Sequence, residues 1–187
     1  FMSAMLTLGS LGAVSLTAGA QESIGTVTKI TSGDFVYTVE DNVATIVDYT
    51  GSANALVIPQ TIDGRKIVRI GDYALSKKAK LNSVVVPESV ESIGSSAFED
   101  SVDLKKVTLP DGVTKIGEYA FSNWDSFNQP FSIPEGVTEI GESAFSNWSS
   151  FNQSFSIPEG VTTIGAYAFL NWRSFNQLNS RRAEATN

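Results

Sequence analysis

The sequence predicts a mainly β solenoid of about five coils, each 23–24 residues long, closed at its N-terminal end by a β-hairpin. Three observations predict it. One nine-residue pattern is written five times, as IVRIGDYAL from Ile67, VESIGSSAF from Val90, VTKIGEYAF from Val113, VTEIGESAF from Val137 and VTTIGAYAF from Val161. Its glycines, Gly71, Gly94, Gly117, Gly141 and Gly165, advance in steps of 23, 23, 24 and 24 residues. A fixed period in this range is how stacked supersecondary units appear in sequence. Ahead of each copy, a short run alternates apolar and variable residues before a proline, as a strand with one buried face does.

Taken in order, residues 1–20 (FMSAMLTLGSLGAVSLTAGA) are uncharged, rich in Leu, Ala and Gly, and end in Ala18-Gly19-Ala20 before Gln21. A short apolar run closed by A-x-A is the end of a secretory signal peptide. The basic residues that open such a peptide are missing, so the expectation is of a signal peptide whose start lies upstream of Phe1. The alternative is an N-terminal helix packed on the fold. Export places the mature chain outside the cell or on its surface. No later stretch is long and apolar enough to span a bilayer, so the mature chain is expected to have no transmembrane segment.

Residues 21–33 read as a polar linker. Residues 34–58 hold the cap and the first strand: FVYTV (Phe35 to Val39) and VATIV (Val43 to Val47), parted by Glu40, Asp41 and Asn42, pair as a hairpin. A stack of open strand edges needs such a lid, because an uncovered edge pairs with other chains. The repeat array runs over 59–178, and 179–187 is a polar tail.

Within each coil, residues two apart in the strand before proline share a face. Leu56 and Ile58, Val84 and Val86, Val107 and Leu109, Phe131 and Ile133, Phe155 and Ile157 therefore point inward. Val57, Val85, Thr108, Ser132 and Ser156 between them point out. Pro59, Pro87, Pro110, Pro134 and Pro158 end these strands, and in the last three coils Pro-Asp/Glu-Gly suits a tight turn with proline second and glycine after it. The V-x-x-I-G segment returns along the opposite side, its glycine allowing either positive φ or a close neighbour. Ala with Phe or Leu follows, the small residue admitting a close turn and the large one filling the centre. Six residues on, Leu81, Leu104, Phe127, Phe151 and Phe175 make another inward column.

Composition excludes several functions. Net charge is −7 with a sequence pI near 4.6, the wrong sign for a phosphate backbone, so no nucleic-acid partner is expected. Cysteine is absent, which removes disulfides, thiolate nucleophiles and structural zinc; histidine is absent, which removes the commonest general base and metal ligand. No catalytic residue, metal or cofactor is assigned.

The string P-x-x-V-x-x-I-G-x-x-A-F, with its preceding L-x-x-V-x-L-P strand, resembles the BspA-type (Treponema-type) leucine-rich repeats of bacterial and protist surface proteins, over about residues 34 to 178. The lead-in DYTGSANALVIPQTIDGRKIVRIGDYAL resembles that family's opening coil. The resemblance implies a leucine-rich-repeat solenoid with a stacked-strand face and a role in adhesion or protein–protein interaction outside the cell. The chain departs from the family in three ways. Where A-F-x-x-Cys is common, it has Ser101, Trp124, Trp148 and Trp172, with Lys78 in the first coil. Its later coils insert a residue, F-N-Q-x-F replacing L-x-x-V. From Leu178, LNSRRAEATN stands where a sixth strand is expected.

Four columns are candidate sites. Trp124, Trp148 and Trp172, beside Phe127, Phe151 and Phe175, form either a sugar-stacking ladder or interior rings; the interior reading is preferred, because rings between coils bury large areas, with Trp172 and Phe175 excepted. Asn123, Asn147 and Asn171 form either an amide ladder for a ligand or turn residues that satisfy buried backbone. Glu88, Asp111, Glu135 and Glu159 form either a calcium or glycosidase carboxylate set or, preferably, a solvated rim. The outward strand face of Val85, Thr108, Ser132 and Ser156, with Lys106 beside it and Trp172 at the last coil, is the preferred contact surface, since solenoids bind on extended faces.

The expectation is thus an exported, non-enzymatic leucine-rich-repeat domain that presents this face to a protein or glycan. Its rivals are a rigid spacer and a β-helical polysaccharide-acting enzyme. Apolar surface around Phe169, Trp172 and Phe175 predicts self-association through the last coil.

Overall fold

The computed structural model describes residues 27–78 and 80–176; the signal-peptide reading of 1–20 and the polar tail at 179–187 lie outside them. The described chain opens with β1 (Ile30–Ser32), β2 (Phe35–Glu40) and β3 (Val43–Tyr49), an antiparallel meander. Ile30–Ser32 lies in the segment read as linker. It forms a strand because Ile30 pairs with Tyr37 and Ser32 with Phe35 across a turn at Gly33. The turn between β2 and β3 sits on Asp41 and Asn42, both at positive φ (49° and 62°), as a two-residue hairpin of matching twist requires.

The array then adds β4 (Ala55–Val57), β5 (Thr61–Ile62), β6 (Arg65–Ile70), β7 (Ser83–Val85), β8 (Ser92–Ile93), β9 (Lys106–Thr108), β10 (Lys115–Ile116), β11 (Glu139–Ile140) and β12 (Thr163–Ile164). The V-x-x-I-G side builds one long sheet in the order β1-β2-β3-β6-β8-β10-β11-β12, with β5 hairpinned onto β6. Pairing is parallel from β3 onward, so the cap is continuous with the solenoid: Ala44 stands beside Ile67 and Ile46 beside Ile70. Ile70, Ile93, Ile116, Ile140 and Ile164 fall in register as a single row. The first four are buried, and Ile164, at the last described coil, is 46% exposed.

A second hairpin was not read from sequence. Asp63 and Gly64, at φ 47° and 76°, turn β5 into β6, and the Asp-Gly pair is its signal. Tyr37 donates its hydroxyl to Asp63 Oδ2 at 2.7 Å and Ser32 donates to Oδ1 at 2.9 Å, tying the cap to this hairpin. The bond from Tyr37, then that from Ser32, holds the Asp63 carboxyl below its ordinary range, and the same bond to Asp63 raises the Tyr37 hydroxyl.

The glycine column is explained by close approach. None of the five takes positive φ. A Cβ on Gly117 would lie 2.6 Å from the carbonyl carbon of Gly94, and one on Gly141 or Gly165 equally close to the glycine of the preceding coil. The proline turns differ from expectation. Val90, Val113, Val137 and Val161 donate their N–H to the carbonyls of Pro87, Pro110, Pro134 and Pro158, so proline takes the first turn position. Gly112, Gly136 and Gly160 keep negative φ there; Gly136 is needed for space, since its Cβ would strike the Asp111 carbonyl oxygen.

After each glycine the chain makes a tight turn that alternates handedness. Tyr73, Ser96, Tyr119, Ser143 and Tyr167 take positive φ, and so do Lys77, Asp100, Asn123, Asn147 and Asn171 four residues on. The alternation turns every second N–H toward the next coil. Tyr73, Leu75 and Lys77 donate to Ser95, Ala97 and Glu99, and the pattern repeats through Ser143, Phe145 and Asn147. This ladder and the long sheet join each coil to its neighbours along two sides. Between them lie stacked rings: Phe98, Phe121, Phe145 and Phe169 follow one another at 5.1–5.6 Å, nearly parallel.

Candidate interaction face

The face assigned from sequence begins as a true sheet. β4, β7 and β9 pair in parallel, with Ala55, Ser83 and Lys106 in one outward row and Val57, Val85 and Thr108 in the other. Leu56, Val84 and Val107 fill the core beneath. All three outward residues of the second row are exposed. Lys105 and Lys106 stand side by side there, and neither has a carboxylate within ion-pair distance among the described residues.

Beyond Thr108 the sheet stops, which corrects the expectation of a stacked-strand face through all five coils. Ser132 and Ser156 are exposed and point outward as predicted, while Phe131, Ile133 and Phe155 remain buried. Yet neither serine lies in a strand. Pro130 stands where Lys106 stands one coil earlier, and proline has no N–H to donate to a ladder. Lys106 does donate its N–H in this way, to the carbonyl of Asn82. The flat part of the face is therefore three strands wide.

Trp172 does not belong to it. Trp124, Trp148 and Trp172 stack inside the solenoid with centroids 5.4 Å apart and planes within 5°. Each indole N–H donates to a main-chain carbonyl of the preceding coil: Trp124 to Phe98, Trp148 to Phe121, Trp172 to Phe145. Ser101 makes the same bond to Leu75 at 2.7 Å. The column therefore carries a hydrogen-bond donor in every one of these coils, and the tryptophans add ring area. Trp172 is half-buried because only Trp148, on one side, stacks against it among the described residues.

The asparagine column forms an amide ladder, and among the described residues its side chains do not serve the backbone as the turn reading expected. The amides bond to one another and not to backbone. Asn171 donates to Asn147, Asn147 to Asn123, and Asn123 to Asp100, which lies 3.8 Å from Lys77 Nζ. Glu88, Asp111, Glu135 and Glu159 are all exposed at the proline turns. Among the described residues, no group of three or more Asp, Glu, His or Cys side chains is placed to hold a metal ion, and no helix is long and apolar enough to cross a membrane.

Comparison with known proteins places this geometry. Six copies of a repeat described as the BspA type leucine rich repeat region match residues 66–183. The fold is similar to that of the T. pallidum leucine rich repeat protein, with a TM-score of 0.72 and 29% identity over 79% of this chain and 69% of that one. It is similar to a leucine-rich repeat protein from Bacteroides ovatus (TM-score 0.69, 28% identity, 80% of this chain) and to a leucine rich cell surface protein from Faecalibacterium prausnitzii (0.58, 27%, 82%). The chain spans 41% and 54% of the length of those two. No curated protein sequence matches it.

Proposed function

The chain belongs to the BspA-type leucine-rich-repeat family, and from that premise we propose that it is an extracellular, non-catalytic binding domain that docks a protein on its strand face. The observation that carries this reading is the outward row of Val57, Val85 and Thr108, beside Lys105 and Lys106, which have no ion-pair partner among the described residues. A flat strip with two valines next to two lysines suits a partner with an apolar patch rimmed by carboxylates. Secretion is supported by the A-x-A ending at Ala20, and location at the surface by the cell-surface relative from F. prausnitzii.

The test is a panel of purified extracellular-matrix proteins, measured by surface plasmon resonance against the wild type and the double variant Val85→Arg, Thr108→Arg. Both positions are exposed, so the variant keeps its core. Saturable binding that the double variant loses is the expected result. Binding retained by the variant, or no binder in the panel, rejects the reading.

The last described coil supports self-association as a second property. Ile164 and Leu170 are exposed there, although the isoleucines in register with Ile164 are buried in every earlier coil.

A further inference from the structure

A column that the sequence pattern left unused lies two residues past each repeat glycine: Tyr73, Ser96, Tyr119, Ser143 and Tyr167. Tyrosine and serine alternate without exception. All five residues hold positive φ, between 52° and 60°, a backbone that is uncommon and costly for a bulky side chain. The two serines are buried. The three tyrosines stay exposed, at 63%, 39% and 65%. That backbone serves the ladder between coils and the serines share it, so what sets the tyrosines apart is the exposure of three aromatic rings at alternate coils.

The surroundings indicate what such a row would hold. Next to the middle and last of these tyrosines lies an open groove of about 330 Å³, lined by Lys115, Glu118, Glu139 and Glu142 with the backbone of Gly117 and Gly141 and by Ala166, the neighbour of Tyr167; the tyrosines themselves stand outside its lining. Lys115 and Glu139 pair from one coil to the next at 2.8 Å, and the Tyr119 hydroxyl donates to Glu142 at 3.3 Å. The groove follows the stacking axis, so its occupant is a linear chain. Its walls offer carboxylate acceptors, which suit hydroxyl groups, and its excess of glutamate repels anionic polymers.

Spacing identifies the chain. Adjacent strands stand about 4.8 Å apart, so residues two coils apart lie about 10 Å from one another. That is about the length of one disaccharide step in an extended β-1,4-linked glycan, in which every second ring presents the same face. Tyr73, Tyr119 and Tyr167 thus match alternate sugar rings, while the buried serines leave room for the rings between. We infer that the tyrosine column and its acidic groove bind a neutral, linear β-1,4-linked glycan along the solenoid axis. The inference is separate from the strand-face reading, since it concerns another surface and another class of partner.

Isothermal titration of the full chain with cellohexaose tests it, with maltohexaose, whose α-1,4 linkage curves the chain, as comparison. Serine is the resident of the alternate coils, so Tyr73→Ser, Tyr119→Ser and Tyr167→Ser keep the backbone conformation; unchanged thermal unfolding verifies this. Cellohexaose is expected to bind saturably, each single variant to weaken it about threefold to tenfold, the triple variant to abolish it, and maltohexaose not to bind. Absence of cellohexaose binding, equal binding of maltohexaose, or undiminished binding by a folded triple variant overturns the inference. The Val85→Arg, Thr108→Arg variant should bind cellohexaose as the wild type does, so failure of one surface is distinguishable from failure of the other.

Discussion

Asn147 donates its side-chain amide to Asn123 at 2.6 Å and, through its own carbonyl oxygen, accepts from Asn171 at 2.7 Å. Asn147 and Asn123 therefore both give and receive, and the chain of bonds runs on to Asp100. Asn147 also holds φ at 62°, a conformation asparagine tolerates better than most residues.

Replacing it separates the two roles. Asn147→Gly keeps the backbone and loses the bonds, which should cost about 1 kcal/mol. Asn147→Leu loses the bonds and adds left-handed strain, for about 2–3 kcal/mol in total. Denaturant midpoints at a constant transition slope measure the difference. Equal costs would show that the backbone conformation is indifferent to the side chain.

Trp148 is fully buried, and its indole N–H satisfies the Phe121 carbonyl at 2.6 Å. Trp148→Phe keeps a ring but orphans that carbonyl, for about 2 kcal/mol. Trp148→Ala adds a cavity and should cost about 3–5 kcal/mol. Chemical unfolding followed by circular dichroism reads both. A Phe variant as stable as the wild type would remove the hydrogen bond from the account of this column.

Gly117→Ala should loosen β10 from β8, because the new methyl meets the Gly94 backbone at 2.6 Å. Main chain on both sides cannot yield as a flexible side chain would. A loss of about 2 kcal/mol or more is expected, with faster amide exchange at Ile116 and Gly117. Gly64→Ala is the contrast: a Cβ there meets nothing within 4 Å, and only its φ of 76° is penalised, for about 1 kcal/mol.

Cap stability should depend on pH through Asp63. Its carboxyl is held below the ordinary 3.8 by the bonds from Tyr37 and Ser32. A folded-state value lower than the unfolded one contributes stability that is present above 3.8 and lost as pH falls through the folded value. Tyr37 is raised above 10.0, so its contribution is lost as pH climbs beyond that point. Thermal melts at pH 7 and pH 3 should differ less in Asp63→Asn than in the wild type; an identical difference would show that the cap is not tied through this group.

Self-association through the last described coil should follow protein concentration and weaken in Ile164→Lys, Leu170→Lys. Light scattering measures it. A monomer at every concentration would remove the idea.

The inward positions were legible because strand and turn impose strict periods. The pairs from Leu56 and Ile58 through Phe131 and Ile133, with Leu109 only half-buried, and the column from Leu81 to Phe151 face inward as their spacing requires. The tyrosine column was in plain sight as an alternation of Tyr and Ser, but exposure alone separates a platform from a variable turn position. Pro130 was visible too. Its consequence, the end of the outer sheet, depended on which backbone groups face one another across coils.

By itself, then, the sequence determined the period, the inward and outward sides of each coil and the parallel stack, because each follows from local spacing repeated along the chain. Only the tertiary structure decided that glycine serves close approach, that tryptophan indoles bond to the coil before, and that asparagines bond to one another. Those outcomes depend on distances between residues 23 to 27 positions apart, and it is the stacking of coils that sets them.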